Sequence, residues 1–144
     1  GEIIFEALLK NAGNEEERFI FASMLQLETE AKAIMRPTLM RLGLSIEENP
    51  LSREQGIKIG QTFQEISFED LILNIKNSVE SIYLPQYEEL ATLITEEDKE
   101  CIWLAKFMGD HERALLLASN NIIDKSEEHI KPVTDMLRFP IAYR

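Results

Sequence analysis

Two long segments in which apolar residues recur every three or four positions dominate this sequence and restrict the fold to packed helices. The first runs from Asn14 to about Gly43, and the second runs from Thr95 to about Asn121. Each begins with a residue that can cap a helix, followed by acidic residues that suit the positive end of a helix dipole. No run of alternating β-branched residues lies between tight turns. The sequence therefore predicts an all-α fold.

Shorter helices are predicted around these two segments. The apolar spacing predicts a helix over Glu2–Lys10, packed as a lid or arm, and another that begins with Ser67 as its cap. Pro85 is expected to kink or interrupt this later helix, and Pro37 is expected to bend the first long helix near Arg36. Helices of about 25 residues with short joints are typical of an antiparallel bundle.

The stretch from residue 44 to residue 67 has the weakest periodicity. Asn49 and Pro50 mark a turn there, and Ser52 is the expected cap of a helix that Gly56 and Gly60 would weaken. The structure of this stretch is therefore left open by the sequence.

The length of 144 residues suits one domain with its own core. We predict an N-terminal arm helix within residues 1–13, a bundle over 14–121 and a C-terminal tail over 122–144. The tail contains a further short helical piece from residue 126 to residue 131, which Pro132 is expected to end.

Charge and composition exclude several classes of partner. The formal net charge is -11, which argues against nucleic acid and against an anionic membrane surface, because both need clustered positive charge. A single cysteine, Cys101, cannot form an internal disulfide. No apolar run approaches the ~20 residues that span a bilayer, and the amino end is acidic where a signal peptide is basic. We therefore expect a soluble, cytoplasmic protein.

Two ionisable residues fall on the predicted core faces of the two long helices. Glu28 lies on an apolar seam formed at 3–4 spacing by Phe21, Met24, Ala31 and Met35. His111 lies near the middle of an apolar face that includes Leu104, Phe107, Met108, Ala114, Leu115 and Ala118. Asp110 is at the edge of that face, and Glu112 and Glu30 are placed outside the core arcs of their helices.

A carboxylate and an imidazole on facing helices can be interpreted in two ways. Both could be metal ligands or parts of a buried proton-handling site, because a buried carboxylate needs a cation or a donor to offset its desolvation. Alternatively, Glu28 and His111 could form a hydrogen-bonded pair that only fixes the register of the bundle.

The sequence around these residues resembles the ferritin-like superfamily, and within it the rubrerythrin group. In the first long helix, Glu28, Ala31 and Met35 match that group's spacing of Glu, Ala and a large residue. The last long helix reads Met-Gly-Asp-His-Glu-Arg-Ala-Leu over 108–115, similar to Glu-x-x-His-Glu-x-Arg-aromatic. The run over 68–91, with Tyr-Leu-Pro before its bend, is similar to the third helix. The resemblance implies a ferritin-like antiparallel four-helix bundle with short N- and C-terminal helices.

The departures from the family pattern concern its di-iron ligands. Met108 stands where a carboxylate is expected three residues before His111, and Lys76 stands where the third-helix Glu would be. The second-helix Glu-x-x-His is missing, so only Glu28 and His111 have clear counterparts. The resemblance therefore implies the fold together with a largely lost di-iron site, in which the Lys76 ammonium could replace the metal by pairing with Glu28.

Three functions follow from this resemblance and these residues. The first is a non-catalytic or ligand-binding domain without metal, in which Glu28 and His111 carry any remaining chemistry, with Asp110 as the nearest helper and Lys76, Glu80 and Glu112 as further candidates. The second is an iron- or manganese-dependent oxidoreductase that recruits ligands from Glu65, Glu69, Glu80 or a second subunit. The third is a module of the haem oxygenase or thiaminase-like kind with a pocket beside His111. A homodimer through the exposed apolar face of Glu2–Lys10 is also expected.

Overall fold

The computed structural model describes residues 1–142, which form helices joined by short connections. No strand occurs in this part of the chain, so the all-α prediction is confirmed. The α-helices are α1 (Glu2–Lys10), α2 (Glu15–Arg41), α3 (Pro50–Thr62), α4 (Phe68–Ser78), α5 (Leu84–Leu93), α6 (Lys99–Ile123) and α7 (Lys131–Thr134). A 3₁₀ turn over Phe63–Glu65 follows α3, and a π-helical segment over Val79–Tyr83 joins α4 to α5.

The two longest helices, α2 and α6, pack in an antiparallel arrangement. Near the end of α2 and the start of α6, the Thr38 hydroxyl donates to a Glu100 carboxylate oxygen at 2.6 Å. Near the middle of both helices, Glu28 lies beside His111. The end of α2 therefore lies beside the start of α6, and the two helices are antiparallel, as predicted for this pair.

Two predicted helix starts are confirmed by their capping hydrogen bonds. The Asn14 side chain accepts from the backbone N–H of Glu17 at 2.9 Å, and the Ser67 hydroxyl accepts from the N–H of Asp70 at 3.1 Å. Each bond satisfies an N–H that the first helical turn leaves without a partner. The acidic residues that follow each cap lie in the first turn.

Two other predicted caps were wrong. Asp98, not Thr95, caps α6, because its carboxylate accepts from the N–H of Cys101 at 3.0 Å. Asn49, not Ser52, caps α3, and its side chain accepts from the N–H of Ser52 itself. In both cases an Asp or Asn side chain, and not the predicted Thr or Ser, accepts the hydrogen bonds of the first N–H groups. The helix α6 therefore begins later than predicted, and α3 begins earlier.

The prolines lie at different points of the helices, and only the outcome at Pro132 departs from the prediction that it ends a helix. The helix α2 continues through Pro37 to Arg41. Pro132 lies in the first turn of α7, where its missing N–H costs nothing, and the predicted helix over residues 126–131 is instead a set of turns. Pro85 also lies in the first turn of α5, and the helical path before it widens into the π-helical segment, with the N–H of Leu84 bonding to the Val79 carbonyl.

The helix α1 packs against both α2 and α3, while direct contacts between α2 and α3 are few. Its apolar residues Phe5 and Leu8 are buried in the core. The two glycines of α3 face it, because a side-chain carbon on Gly56 or Gly60 would lie 3.3 Å from Ile3 Cβ or 2.8 Å from Ala7 Cβ, respectively. The apolar residues of α1 are therefore buried or half-buried and do not form the exposed face that was expected, while the homodimer itself stays a prediction.

The core extends into the C-terminal tail. Buried apolar residues of α2, α4 and α6 form one cluster with α1, and the tail contributes Ile130, Val133 and Leu137 to it. The α2 and α4 helices also meet through an edge-to-face contact of Phe21 and Phe68, with ring centroids 5.8 Å apart. Among residues 1–142, no helix combines the length and the apolar character needed to cross a membrane.

Candidate functional site

The centre of the candidate site is the contact between Glu28 of α2 and His111 of α6. Oε1 of Glu28 lies 3.6 Å from Nε2 of His111, an ion-pair distance that is too long for a hydrogen bond. Only 1% of the His111 side chain is exposed, against 20% of the Glu28 side chain. The structure therefore brings together the two residues that the sequence placed on facing core seams.

Glu112 completes this site, although the sequence analysis placed it outside the core face. Its Oε1 lies 3.2 Å from Nδ1 of His111, and the residue is buried. The prediction was wrong because Glu112 shares a helix face with Met108 and Leu115, four residues before and three residues after it, and both are buried. This spacing was the signal that could have identified Glu112.

The imidazole thus lies between two carboxylates. When Glu112 is ionised, Nδ1 is the donor in this hydrogen bond, because an ionised carboxylate can only accept. Nε2 has no hydrogen-bond partner among the described residues and faces Glu28. Burial by itself lowers the pKa of His111, but the bond to Glu112 and the charge of Glu28 outweigh burial and raise that pKa above its ordinary value. Burial raises the pKa of Glu28, which the charge of His111 only partly offsets.

A partly open cavity of about 360 Å³ between the helices adjoins this site. Glu28 and Glu112 line the cavity, whereas His111 is not among its lining residues. The remaining walls come from every helix between α1 and α6. They are largely apolar, including Ile4, Phe5, Ile59, Phe63, Ile75 and Val79. The haem oxygenase or thiaminase-like alternative predicted a pocket beside His111. The cavity is instead lined by Glu28 and Glu112, the two carboxylates on either side of His111.

Two tyrosines from the broken helix α4–α5 also line the cavity. Tyr83 ends the π-helical segment, and Tyr87 follows one turn later in α5. Burial, with the charges of Glu112 and Glu28, raises the pKa of Tyr87 to about 12. π-helical segments occur frequently at functional sites, and here both tyrosines line one cavity. The sequence analysis identified neither tyrosine.

The other candidates from the sequence lie elsewhere. Asp110 is exposed and forms an ion pair with Arg113 at 2.8 Å, so it does not assist His111. Lys76 pairs with Glu80 one turn away at 2.9 Å, so the expected Lys76 to Glu28 pair was wrong. Both pairs join residues three or four positions apart along continuous helical backbone, a spacing at which long side chains readily meet.

The residues do not fit the di-iron centre that the family resemblance implies. Among residues 1–142, no three side chains of His, Cys, Asp or Glu are placed so that they could hold a metal ion. Glu65, Glu69 and Glu80, the expected additional ligands, are exposed and do not line the cavity. A di-metal centre needs several carboxylates around the metal pair.

Comparisons with known proteins identify no relative of this chain. No protein-family model, curated protein or solved structure matches it. What the site can do therefore has to be inferred from its own geometry and chemistry.

Proposed function

We propose that this chain is a ferritin-like helical bundle, related to the rubrerythrin group, in which the interior that once held iron binds a small molecule. The observation that carries the proposal is the cavity of about 360 Å³ between the helices, with two carboxylates at one end. Its volume is in the range of small-molecule sites, which are largely apolar with a few polar groups that orient the ligand. Among residues 1–142, no three side chains of metal-ligating type, Glu28, His111 and Glu112 included, are placed so that they could hold a metal ion.

The packing of α1 supports this interpretation. In a four-helix bundle the second helix packs against the first, but here α1 contacts both α2 and α3. In the proposed ferritin-like order α3 would be the second helix, and it reaches the cavity only through Ile59 near its end. An apolar wall therefore occupies the side from which the second Glu-x-x-His would supply its ligands.

A pair of tryptophan substitutions on α3 tests small-molecule binding. Ile57 and Ile59 are exposed to a similar extent, 43% and 37%, but only Ile59 lines the cavity. We expect calorimetry to detect binding of the neutral probe 2-phenylethanol to the wild-type chain. Ile59→Trp should fill part of the cavity and weaken binding at least about tenfold, or about 1.4 kcal/mol. Ile57→Trp should bind as the wild type does.

Two results would contradict the proposal. Equal loss of binding in both tryptophan variants, with both folded, would show that the probe binds outside the cavity. Absence of binding of 2-phenylethanol and of any other probe small enough for the cavity would show that the cavity is only a packing defect.

Metal analysis tests the oxidoreductase alternative separately. The protein is purified after growth with iron and manganese, beside a His111→Ala variant. We expect no stoichiometric metal in either protein. About two metal ions per chain, lost in the variant, would establish a di-metal enzyme with unconventional ligands.

A further inference from the structure

The charged groups around the cavity indicate which class of ligand it takes, an inference that rests on the proposed function. Three acidic side chains line the cavity: Glu2, Glu28 and Glu112. Two of them have a close partner within the chain. The Lys32 ammonium, also on the cavity wall, lies 3.1 Å from Glu2, and the His111 imidazole lies 3.2 Å from Glu112. Neither of these two carboxylates is therefore left for a ligand.

The carboxylate of Glu28 is also enclosed by the chain. Nε2 of His111 lies 3.6 Å from it. Gly1, which lines the cavity, lies directly against it, because a side-chain carbon added to Gly1 would overlap the carboxylate. Burial raises the pKa of Glu28, while the charges of His111 and of the Gly1 amino group oppose that rise. The place beside Glu28 is therefore occupied as well.

The charges at the cavity cancel in both proton arrangements of the contact between Glu28 and His111. With His111 protonated, three positive groups, those of Gly1, Lys32 and His111, accompany the three carboxylates. With the proton on Glu28 instead, the two remaining positive groups accompany the two remaining carboxylates. A ligand of either charge would therefore leave a net charge in a largely apolar space and would also lose its own hydration.

The remaining walls of the cavity are uncharged. Most of their side chains are apolar, including Phe5 of α1, Ile59 of α3 and Ile75 of α4. The polar groups are one amide and three hydroxyls, those of Asn74, Ser78, Tyr83 and Tyr87. Amides and hydroxyls can exchange hydrogen bonds with a neutral ligand, but they carry no charge that would balance an ionised one. These walls suit an apolar body with a neutral polar group.

We propose that the cavity selects an uncharged organic molecule, with a compact apolar body and a hydroxyl or carbonyl group, and excludes organic ammonium ions and carboxylates of the same size. The balance of charge within the chain sets this selectivity. Removing one member of the Glu2–Lys32 pair should therefore change the selectivity with a predictable sign. The two side chains are 35% and 45% exposed, so neither change opens a hole in the core.

Calorimetry with three probes of similar size tests this assignment: 2-phenylethanol, 2-phenylethylamine and 3-phenylpropionate. The measurement is made at neutral pH, where the amine and the carboxylate are ionised, and at low salt, where interactions between charges are least screened. The alcohol should bind the wild-type chain at least about tenfold more tightly than either charged probe, or about 1.4 kcal/mol.

Two variants of the Glu2–Lys32 pair should shift the selectivity in opposite directions. Lys32→Gln leaves an excess of negative charge at the cavity, so the amine should gain about threefold relative to the alcohol. Glu2→Gln leaves an excess of positive charge, so the carboxylate should gain by a similar factor. The control Lys10→Gln removes an exposed lysine of α1 that pairs with Glu6 and does not line the cavity. It should leave all three affinities unchanged.

The outcomes separate this inference from the proposed function. Binding of either charged probe as tight as that of the alcohol in the wild-type chain would overturn the assignment and leave small-molecule binding in place. Unchanged selectivity in folded Lys32→Gln and Glu2→Gln would show that the charge balance does not set it, which would also overturn the assignment. Absence of binding of every probe would overturn both proposals. The comparison in the wild-type chain does not depend on whether the variants fold.

Discussion

Nε2 of His111 lies 3.6 Å from the Glu28 carboxylate and has no hydrogen-bond partner among residues 1–142, so one proton has to be held between these two side chains. An unprotonated Nε2 facing an ionised carboxylate would place two lone-pair-bearing atoms against each other in a buried site. Either an imidazolium faces a carboxylate or a neutral imidazole faces a carboxylic acid. Burial raises the pKa of Glu28 although the charge of His111 opposes it, and the bond to Glu112 with the charge of Glu28 raises the pKa of His111. Both shifts favour a proton at this contact.

The first prediction concerns the titration of His111. Its pKa is raised by the bond to Glu112 and the charge of Glu28 against the effect of burial, so Glu112→Gln should lower the pKa of His111. Asp110→Asn, on the preceding residue, should lower it much less, because Asp110 is exposed and pairs with Arg113. The imidazole proton signals followed by NMR over pH measure both effects. A titration midpoint unchanged in folded Glu112→Gln would contradict the geometry of the site.

The second prediction is the sign of the pH dependence of stability that follows from His111. A raised pKa in the folded state means that the protonated imidazole stabilises the fold fully below the ordinary value of 6.5. This contribution is lost as the pH rises through the folded pKa. Urea unfolding should therefore give a lower free energy of unfolding at about pH 9 than at about pH 6. Glu112→Gln should reduce the stability at pH 6 by roughly 2 kcal/mol, because it removes a charge-assisted hydrogen bond.

The third prediction concerns the phenol of Tyr87. Burial and two nearby carboxylates raise the pKa of Tyr87 to about 12, so its ionisation should follow that of an ordinary phenol near 10. The difference in near-ultraviolet absorbance between wild type and Tyr87→Phe should show a step near pH 12, with circular dichroism confirming that the chain stays folded. The raised pKa also means that stability falls as the pH rises above 10. A step near pH 10 in a folded chain would contradict the placement of Tyr87 beside Glu112.

The fourth prediction concerns the contact of α1 with α3. A side-chain carbon at Gly60 would lie 2.8 Å from Ala7 Cβ, whereas one at Gly56 would lie 3.3 Å from Ile3 Cβ. Alanine adds about 1 kcal/mol of helix propensity at either position, but overpacking costs about 1–3 kcal/mol. Gly60→Ala should therefore be less stable in urea than Gly56→Ala. Ala7→Gly costs helix propensity in α1, but it should destabilise the Gly60→Ala variant less than it destabilises the wild type, because it removes the close contact. Equal costs in the two backgrounds would contradict the contact.

Much of the fold could be predicted from periodicity, since long amphipathic segments report a buried face directly. The bounds of α1 and the caps Asn14 and Ser67 followed from local rules. The start of α6 could not be predicted from local rules, because Thr95 and Asp98 are both acceptable caps. Which of the two caps the helix depends on tertiary contacts. The π-helical segment before Pro85 could not be predicted either, because the missing N–H of a proline is compatible with a kink or with a wider helical turn.

The sequence identified only two of the three ionisable residues at the centre of the site. Glu28 and His111 stood out as polar residues on otherwise apolar seams, whereas Glu112 did not. A helix that contacts several neighbours has a buried arc wider than one seam, and Glu112 falls on the part of α6 that faces the cavity with Met108 and Leu115. The cavity itself depends on how helices distant in sequence leave space between them, which no local pattern encodes.

The five methionines allow the most direct measurement of the central claim that the cavity between the helices binds a small molecule. Met35 and Met108 line the cavity, whereas Met24, Met40 and Met136 do not. With ¹³C-labelled methionine methyl groups, adding 2-phenylethanol should shift the NMR signals of Met35 and Met108 in a saturable manner and leave the signal of exposed Met40 unchanged. Signals of Met35 and Met108 that stay fixed, or shifts confined to Met40, would contradict binding in the cavity.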